Sequence, residues 1–265
     1  MAFRICTLLI VFVHYSYGQK QLFITPSLGM AFPLSYTISP PDGDNGYGPN
    51  TFDFGASLDL SLQYQVNQQW IIFAGWRTSN DTGFGIRYGD IDKDFEKGKL
   101  SVASNTIRFP IGFQKHISTH KWFEVKRRAD ILKNISGDKN EDILYLVLFK
   151  LRVLAGVSYN YVVPATNDNQ LESFSSGTFL YTVNNRNSYS AFVGFNLQFF
   201  NYHKNHFQLT FLYSQGLSQV LTVDVDYQLA SGNYEATLGS RGSYISLQLG
   251  YPIKLYDSSK KKKSS

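Results

Sequence analysis

The chain offers few side chains in the spacings that support catalysis. Its 265 residues include five histidines and one cysteine, and phosphate-binding loops and the HExxH, paired CxxC and GxSxG patterns are absent. Four of the histidines form two close pairs, His116 with His120 and His203 with His206. Imidazole pairs can bind transition metals, but neither cysteine nor clustered carboxylates accompany these pairs. The sequence therefore predicts no enzymatic activity, no metal site and no cofactor.

Isolated charged residues lie within apolar segments, where they alternate with hydrophobic residues. Such alternation has a period of two, so the segments are predicted to be strands with one apolar and one polar face. Asp59 and Arg77 lie directly opposite each other if their segments form a hairpin centred on Gln68. We interpret them as an interior ion pair that stabilises the structure rather than as a substrate site. The expected interior charge network consists of Asp59, Arg77, Arg108 and Arg152.

Residues 52–66, with the sequence FDFGASLDLSLQYQV, show the alternation most clearly. Every even position is apolar, and every odd position is polar or Gly. The alternation continues for longer than the roughly 9 to 11 residues that a tilted strand needs to cross a bilayer. This segment is therefore predicted to span a membrane, with lipid on its even side and a polar lumen on its odd side.

Seven further segments share this pattern. Residues 143–163 could also be read as a transmembrane helix. A helix would place Lys150 and Arg152 near the bilayer centre, where inserting each charged side chain costs roughly 2.5 to 3.5 kcal/mol. A strand points both side chains into the lumen, so the strand is favoured. The predicted fold class is all-β, a single eight-stranded antiparallel transmembrane β-barrel, with ten strands possible. The predicted strands are residues 21–34, 52–66, 70–78, 101–114, 143–163, 188–200, 207–213 and 245–255.

The predicted connections are short at one end of the barrel and long at the other. Short turns at residues 67–69 and 201–206 mark the end that faces the periplasm in bacterial barrels. The long connections are predicted to be extracellular and to be where an external ligand could bind; they are residues 35–51, 79–100, 164–187 and 214–240, the last a long hairpin centred on Gly232. An aromatic girdle is expected at the periplasmic rim, formed by Trp70, Phe199, Tyr202, Phe207 and Tyr256.

Residues 116–142 are the exception among the periplasmic turns. Trp122, Val125, Ala129, Leu132 and Ile135 recur there at helical spacing, after a possible cap at residue 118 or 119, and basic residues occupy the other sides. The pattern predicts a basic amphipathic helix inserted on the periplasmic side. Such a helix would rest on the membrane surface, pack against the barrel mouth or be surrounded by water.

Both ends of the chain differ from the predicted barrel. Residues 1–18 combine Arg4, an apolar run and small residues at positions 16 and 18, which is the layout of a secretory signal peptide. The barrel is expected at residues 19–256, followed by a basic, disordered tail at residues 257–265. A mean hydropathy of −0.20 with 43% hydrophobic residues fits a barrel, because its strands average an apolar and a polar face.

Four segments carry a resemblance to a known family. Residues 107–115, IRFPIGFQK, resemble a strand of the porin-family outer-membrane β-barrel domain common in Bacteroidetes-type Gram-negative bacteria. Residues 155–159 (AGVSY), 213–217 (YSQGL) and 247–253 (LQLGYPI) resemble the same family at the corresponding places. The resemblance implies an integral protein of the outer membrane and no defined activity. The chain departs from the family in its lysine-rich tail and in the long insertion at residues 116–142.

Three classes of function remain open. A structural or surface-interaction barrel with a largely side-chain-filled lumen is favoured, because eight strands enclose little space. A narrow channel for small solutes is the second class. The third is a lipid-A-modifying barrel enzyme or a secreted lipocalin-like binder. No histidine maps to the outer side, where such an enzyme would need one. The nearly uncharged outward faces of the strands do not suit a water-soluble binder. We expect outer-membrane lipid as a partner, no nucleic-acid partner, and a monomer.

Overall fold

The computed structural model describes residues 20–39, 48–49, 55–88, 98–125, 145–164, 168–169, 171–174, 177–200, 205–229 and 232–257. Their regular structure is entirely β-strand. The strands are β1 (Gln21–Ser39), β2 (Gly48–Pro49), β3 (Gly55–Gln65), β4 (Trp70–Tyr88), β5 (Gly98–Val125), β6 (Tyr145–Val162), β7 (Leu171–Phe174), β8 (Gly177–Val183), β9 (Asn187–Phe200), β10 (Asn205–Gly216), β11 (Leu221–Leu229), β12 (Gly232–Gly250) and β13 (Ile253–Asp257). Within these ranges, no helix is long and apolar enough to span a membrane. The predicted signal peptide and residues 258–265 of the predicted tail lie outside them.

Eight of these strands form a closed antiparallel ring. Its order is β1, β3, β4, β5, β6, β9, β10 and β12, and β12 pairs back onto β1. β13 follows β12 after a short interruption and pairs with the beginning of β1. Every strand of the ring therefore has a hydrogen-bonded neighbour on both sides, which removes the exposed edges of an open sheet.

The strands are offset from one another around the ring. Following paired residues once around it leads from Phe23 to Pro33, a displacement of ten residues along β1. In a ring of eight strands, this displacement corresponds to a strand tilt of about 40° to 45° and to an interior that side chains can fill. Because the displacement is even, inward-facing positions meet inward-facing positions where the ring closes.

The two faces of the ring have opposite polarity. On β3, the odd positions from Gly55 to Gln63 are buried and polar or Gly, whereas Leu58, Leu60 and Leu62 are about half exposed. The same division runs around the ring, so that its outer surface is an apolar belt. Exposed members of the belt include Leu28, Met30, Phe109, Ile111, Phe113, Val157, Val193, Phe195, Phe211, Leu247 and Leu249. Buried polar residues inside it include Thr25, Ser57, Gln63, Gln114, Asn160, Asn196, Gln208 and Gln248.

Two predicted hairpins are confirmed by the strand pairing. β3 and β4 pair symmetrically about Gln68, and β9 and β10 pair about His203. In the first turn, Asn67 Oδ1 accepts hydrogen bonds from the backbone N–H groups of Gln69 and Trp70, at 2.8 and 2.9 Å. Such a side-chain bridge is the usual reason for Asn in a tight turn. The end of the ring that carries the turn at residues 66–69 is called the short-turn end below.

The opposite end carries a sheet that extends beyond the ring. β8 lies next to β9 in the chain and β11 next to β10, separated from them by bends at residues 184–186 and 217–220. β8 pairs with β11, and β11 pairs with residues 232–240 of β12. This sheet of β8, β11 and β12, with β7 at its edge, is called the extension. It has its own apolar core, which includes Phe179, Tyr181, Leu221, Val223, Val225 and Leu238.

The prediction that the last hairpin is centred on Gly232 is wrong. Leu229 pairs with Gly232, so the pairing is centred between positions 230 and 231 and not on Gly232. The cause lies between the pair Ser214–Tyr244 and the pair Leu221–Ser240: six residues intervene on the first strand and three on β12, which shifts the pairing between the ring and the extension. A prediction that continues the same apolar–polar alternation from the ring into the extension cannot include such a shift in register.

The predicted helix at residues 116–142 is wrong where the structure can test it. β5 continues through Val125, which pairs with Tyr145 of β6, so residues 116–125 form a strand. These residues supply hydrogen-bonding partners to the first part of the apolar strand β6, and a completed ladder outweighs a weak helical periodicity. Residues 126–142 lie outside the described ranges.

Two of the predicted long loops are largely strand. β4 extends to Tyr88 and β5 begins at Gly98, so most of residues 79–100 continue the ring strands. Within residues 164–187, β7 and β8 form a hairpin. The alternation in these stretches is short: it comprises Phe84, Ile86 and Tyr88 at the end of β4, and Phe179, Tyr181 and Val183 in β8. Gly, Asn, Asp and Ser residues typical of loops surround both, so the sequence offers at most an extra strand around Phe84 to Tyr88.

Candidate functional site: the barrel lumen

An ion pair crosses from β3 to β4 inside the ring. Asp59 and Arg77 are register partners, and both Nε and Nη2 of Arg77 lie 2.9 Å from Asp59 Oδ2. Arg77 also donates through Nη1 to Tyr244 Oη at 2.7 Å and through Nη2 to Gln248 Oε1 at 3.1 Å. Arg77 therefore connects β4 to β12 on the far side of β1 and β3, and it ties the interior of the ring together.

Arg108 joins the same cluster from the next strand. It is the register partner of Arg77 on β5 and is 1% exposed. Its guanidinium lies 4.4 Å from the ring centroid of Tyr244, and Nη1 donates to the hydroxyl of Ser79. Tyr244 thus accepts a hydrogen bond from one arginine and presents its ring face to the other, which favours both cations.

An apolar layer lies beside these charges. Phe73, Leu154, Phe192 and Leu212 point inward and pack with Ala31 and Tyr244. The rings of Phe73 and Phe192 are 6.0 Å apart at their centroids. They fit because Gly112 and Gly156 separate them in the register; a Cβ added at either glycine would meet one of the rings and the neighbouring backbone.

The sequence analysis missed this layer. It assigned inward positions by polarity, and these inward residues are as apolar as those of the belt. One signal could have revealed them: Phe73, Leu154 and Phe192 stand at the parity of the polar residues of their own strands, while Gly112 and Gly156 open space beside them. An apolar residue at a lumen position, with glycine opposite it on the neighbouring strand, indicates a large side chain that packs over the glycine.

The space left in the lumen is small. The cavity between the ion pair, Arg108 and the apolar layer has a volume of about 40 Å³, which holds a few water molecules. Polar lining residues include Ser61, Gln114, Ser158 and Gln208. The cavity is a small gap in the side-chain packing and offers no room for an organic substrate.

Arg152 is separate from the other three charges of the predicted network. It lies on β6 towards the short-turn end, where it is the register partner of Asn196 on β9 and of His116 on β5. Its Nη1 donates to Gln198 Oε1. The structure thus brings Asp59, Arg77 and Arg108 together and places Arg152 in a second polar region.

The residues of the predicted aromatic girdle lie near the short-turn end. Trp70 packs on Phe113 with ring centroids 5.7 Å apart, and Lys115 Nζ lies 5.5 Å from the Trp70 ring. Phe199 stacks on Phe207 at 4.4 Å. Tyr256 is exposed on β13, and Tyr202 lies outside the described ranges. Whether these rings lie at a lipid interface stays a prediction.

The histidines of β5 do not converge on a common point. Thr119 Oγ1 lies 3.2 Å from His116 Nε2, and Ser118 Oγ lies 2.8 Å from His120 Nε2. In the part of the chain that the structure describes, no three His, Cys, Asp or Glu side chains are grouped as metal ligands. His203 and His206 have no described side chains.

Comparison with known proteins gives structural similarities only. No family model matches the sequence, and no curated protein matches it. The outer membrane protein OprG from Pseudomonas aeruginosa is similar in structure, with a TM-score of 0.45, 13% identity, and coverage of 89% of this chain and 97% of OprG. The N-terminal β-barrel domain of OprF from Pseudomonas aeruginosa has a TM-score of 0.32 with 11% identity, and covers 89% of this chain and 99% of its own. The outer membrane protein AlkL, solved in DMPC bilayers, has a TM-score of 0.30 with 15% identity, and the alignment covers 91% of this chain and 92% of AlkL.

Proposed function

We propose that the chain is an integral outer-membrane β-barrel with a closed lumen and a non-enzymatic, structural or surface-interaction role. The observation that carries the proposal is the reversed polarity of the ring: its outside is apolar and its inside is polar and charged. A closed barrel satisfies every backbone hydrogen bond internally, which the bilayer core requires. An apolar belt of this size would be unstable in water but is stabilised by contact with lipid.

The packing inside the ring supports a closed lumen rather than a channel. Phe73, Phe192, Leu154 and Leu212 fill the centre, and the Asp59–Arg77 pair binds two further residues across the interior. The cavity between these residues, of about 40 Å³, is too small for solute transport without movement of their side chains. We propose no channel activity for this conformation.

The extension supports a role at the membrane surface. Its core residues Leu221, Val223 and Leu238 are fully buried, so it is a packed unit rather than a set of loops. The outward positions Asp224, Asp226 and Glu235 are exposed and acidic. We propose that this end faces the cell exterior and that the short turns face the periplasm.

Single-channel recording of the refolded protein in a planar bilayer tests the closed lumen. Insertion is verified first by resistance of the ring to trypsin in the same membranes. We expect no steady conductance from inserted protein. Discrete, steady openings would overturn the closed lumen and favour the narrow channel.

Cysteine labelling tests the orientation. The only native cysteine, Cys6, lies in the predicted signal peptide, so Asp226→Cys and Asn67→Cys each place one thiol in the mature protein. A maleimide that does not cross membranes should label Asp226→Cys on intact cells and Asn67→Cys only after the outer membrane is permeabilised. The reverse pattern would overturn the proposed orientation, and equal labelling of both on intact cells would overturn membrane insertion.

A further inference from the structure

Positive side chains gather inside the ring at the short-turn end. Lys150 and Arg152 project from β6 on the lumen face, since their register partners Gln198 and Asn196 are buried in the lumen. Lys254 of β13 is the register partner of the buried Phe23, and it is near enough to Lys150 for their charges to interact. This group is called the cationic vestibule.

Among the side chains that the structure describes, no carboxylate forms an ion pair with Lys150 or Arg152. The buried carboxylate of Asp59 belongs to the other charged cluster of the lumen, where it is bound to Arg77. Arg152 is 4% exposed, and its protein partner is the neutral amide of Gln198, so most of its N–H donors have no protein acceptor. Lys150 lies 4.7 Å from the ring of Phe200. A buried guanidinium without an anion is costly, and a bound anion would offset that cost.

The vestibule is graded from the surface to the interior. Lys254 is exposed, Lys150 is partly buried, and Arg152 is buried next to Leu154 of the apolar layer. Low-dielectric walls around charges of one sign concentrate their field and raise the local concentration of the opposite charge. The three cations thus form a series of increasing burial that ends at the guanidinium of Arg152.

We propose that the cationic vestibule binds the phosphate group of a small soluble solute, with Arg152 and Lys150 as its principal ligands. A guanidinium donates two parallel hydrogen bonds to phosphate oxygens, and an ammonium supplies a point charge beside it. The continuous strands of the ring separate the site from lipid, so the phosphate reaches it from water. This proposal requires only the ring and its lumen. It would still hold if the protein conducted ions or had the opposite orientation in the membrane.

His116 adds a titratable group to this site. Its backbone N–H donates to the carbonyl of Gln69 at 2.7 Å, so it lies at the level of the turn, outside the membrane-spanning segments. Burial lowers the pKa of His116, and the charges of Arg152 and Lys150 lower it further, against a backbone hydrogen bond involving Leu151 that raises it. A phosphate bound between these groups would reverse the charge effect and raise that pKa.

Calorimetric titration with inorganic phosphate tests the site. The full chain is refolded in maltoside micelles in a phosphate-free buffer of low ionic strength. We expect saturable binding of one phosphate per chain, weakened by about tenfold or more in Arg152→Gln and in Lys150→Gln. Arg241→Gln, which removes an exposed arginine near Tyr36 in the opposite half of the molecule, should bind like the wild type.

Three results would overturn the proposal. The first is the absence of saturable binding by the wild type. The second is binding that Arg152→Gln and Lys150→Gln leave unchanged; because Lys150 is partly exposed, the second variant remains informative if the first does not fold. The third is binding of short-chain phosphatidic acid without binding of inorganic phosphate, which would identify a lipid head group instead. An upward shift of the His116 pKa on adding phosphate, followed by NMR, would support the site.

Discussion

Phe73 and Phe192 meet inside the barrel with ring centroids 6.0 Å apart, over the two glycines that separate them in the ladder. The four positions lie on neighbouring strands of the ring, so the contact arises from one row of paired residues. Two aromatic rings on one row reach into the lumen from both sides of a narrow glycine strip. This contact limits the lumen as much as the charges do.

Removing the phenyl rings of Phe73 and Phe192 should open the lumen and destabilise the barrel. Truncation of a buried Phe to Ala usually costs about 3 to 5 kcal/mol, from lost contacts and the cavity that remains. We expect Phe73→Ala and Phe192→Ala each to lower the free energy of unfolding in urea by an amount near the lower end of this range. The double variant should show conductance in planar bilayers. Phe195→Ala, at a half-exposed belt position, is the control and should do neither; a silent double variant would mean that the charged cluster alone closes the lumen.

The Asp59–Arg77 pair should be energetically coupled. Removing one partner of a buried pair costs about 3 to 5 kcal/mol, because the other charge stays buried without compensation. We expect Asp59→Asn and Arg77→Gln to be less harmful together than the sum of their separate effects, in a double-mutant cycle measured by urea unfolding. Reversing both charges should restore only part of the stability, since Tyr244 and Gln248 are placed to accept from an arginine at position 77. Additive single effects would show that the contact contributes nothing.

Arginine in the apolar belt should be destabilising in membranes. Leu60 is 43% exposed at an outward position of β3, and arginine on a lipid face near mid-membrane costs about 2 to 4 kcal/mol. We expect Leu60→Arg to reduce stability by this amount when folding is measured in lipid vesicles. Asp226→Arg is the matched control: it is exposed in the extension and is the register partner of Glu235, so it should have almost no effect. Equal losses for both variants would contradict the assigned lipid face.

The extension should unfold independently of the ring. Leu238 is 0% exposed within the core of the extension, and Leu238→Asp would place a charge there without a partner. We expect chymotrypsin, which cleaves after aromatic residues such as Phe179, Tyr181 and Tyr227, to cut the extension of this variant rapidly, while the ring keeps its resistance and its heat-dependent shift in electrophoretic mobility. Glu235→Gln is the control. Loss of ring resistance would show that the two parts fold as one unit.

Acid should destabilise the folded chain through His116. Its pKa is lowered in the folded state, so the unfolded chain binds the proton more tightly. The stabilisation by the neutral imidazole is present above the ordinary histidine pKa of about 6.5 and is lost as the pH falls through the lower folded value. The free energy of unfolding in phosphate-free buffer should therefore fall more steeply with acid in the wild type than in His116→Asn. Parallel curves would exclude this contribution.

The two faces of the strands and two hairpins could be predicted from the sequence, because the outward positions are apolar wherever a strand has lipid on one side. The apolar and polar positions of β3 and the turns about Gln68 and His203 follow from that rule alone. The Asp59–Arg77 pairing follows from the register of the first hairpin.

The interior packing and the ends of the strands could not be predicted from the alternation. Phe73 and Phe192 break the rule that inward means polar, and their fit depends on glycines that are distant in the sequence. Beyond the belt, lipid no longer covers one face of a strand, so the continuation of β4 shows only the short alternation of Phe84, Ile86 and Tyr88, and a helical periodicity masks that of β5 to Val125. The bend at residues 217–220 shifts the register without a strong local signal.

The pairing of β1 with β12 also constrains how the molecule is made. β1 is the first strand and β12 one of the last to leave the ribosome, so β1 keeps an unpaired edge until nearly the whole chain has been synthesised. An unpaired edge flanked by apolar side chains favours aggregation. The unfinished chain therefore needs protection by a chaperone up to the moment of closure, and a chain truncated before β12 should be a substrate for proteases rather than a smaller barrel.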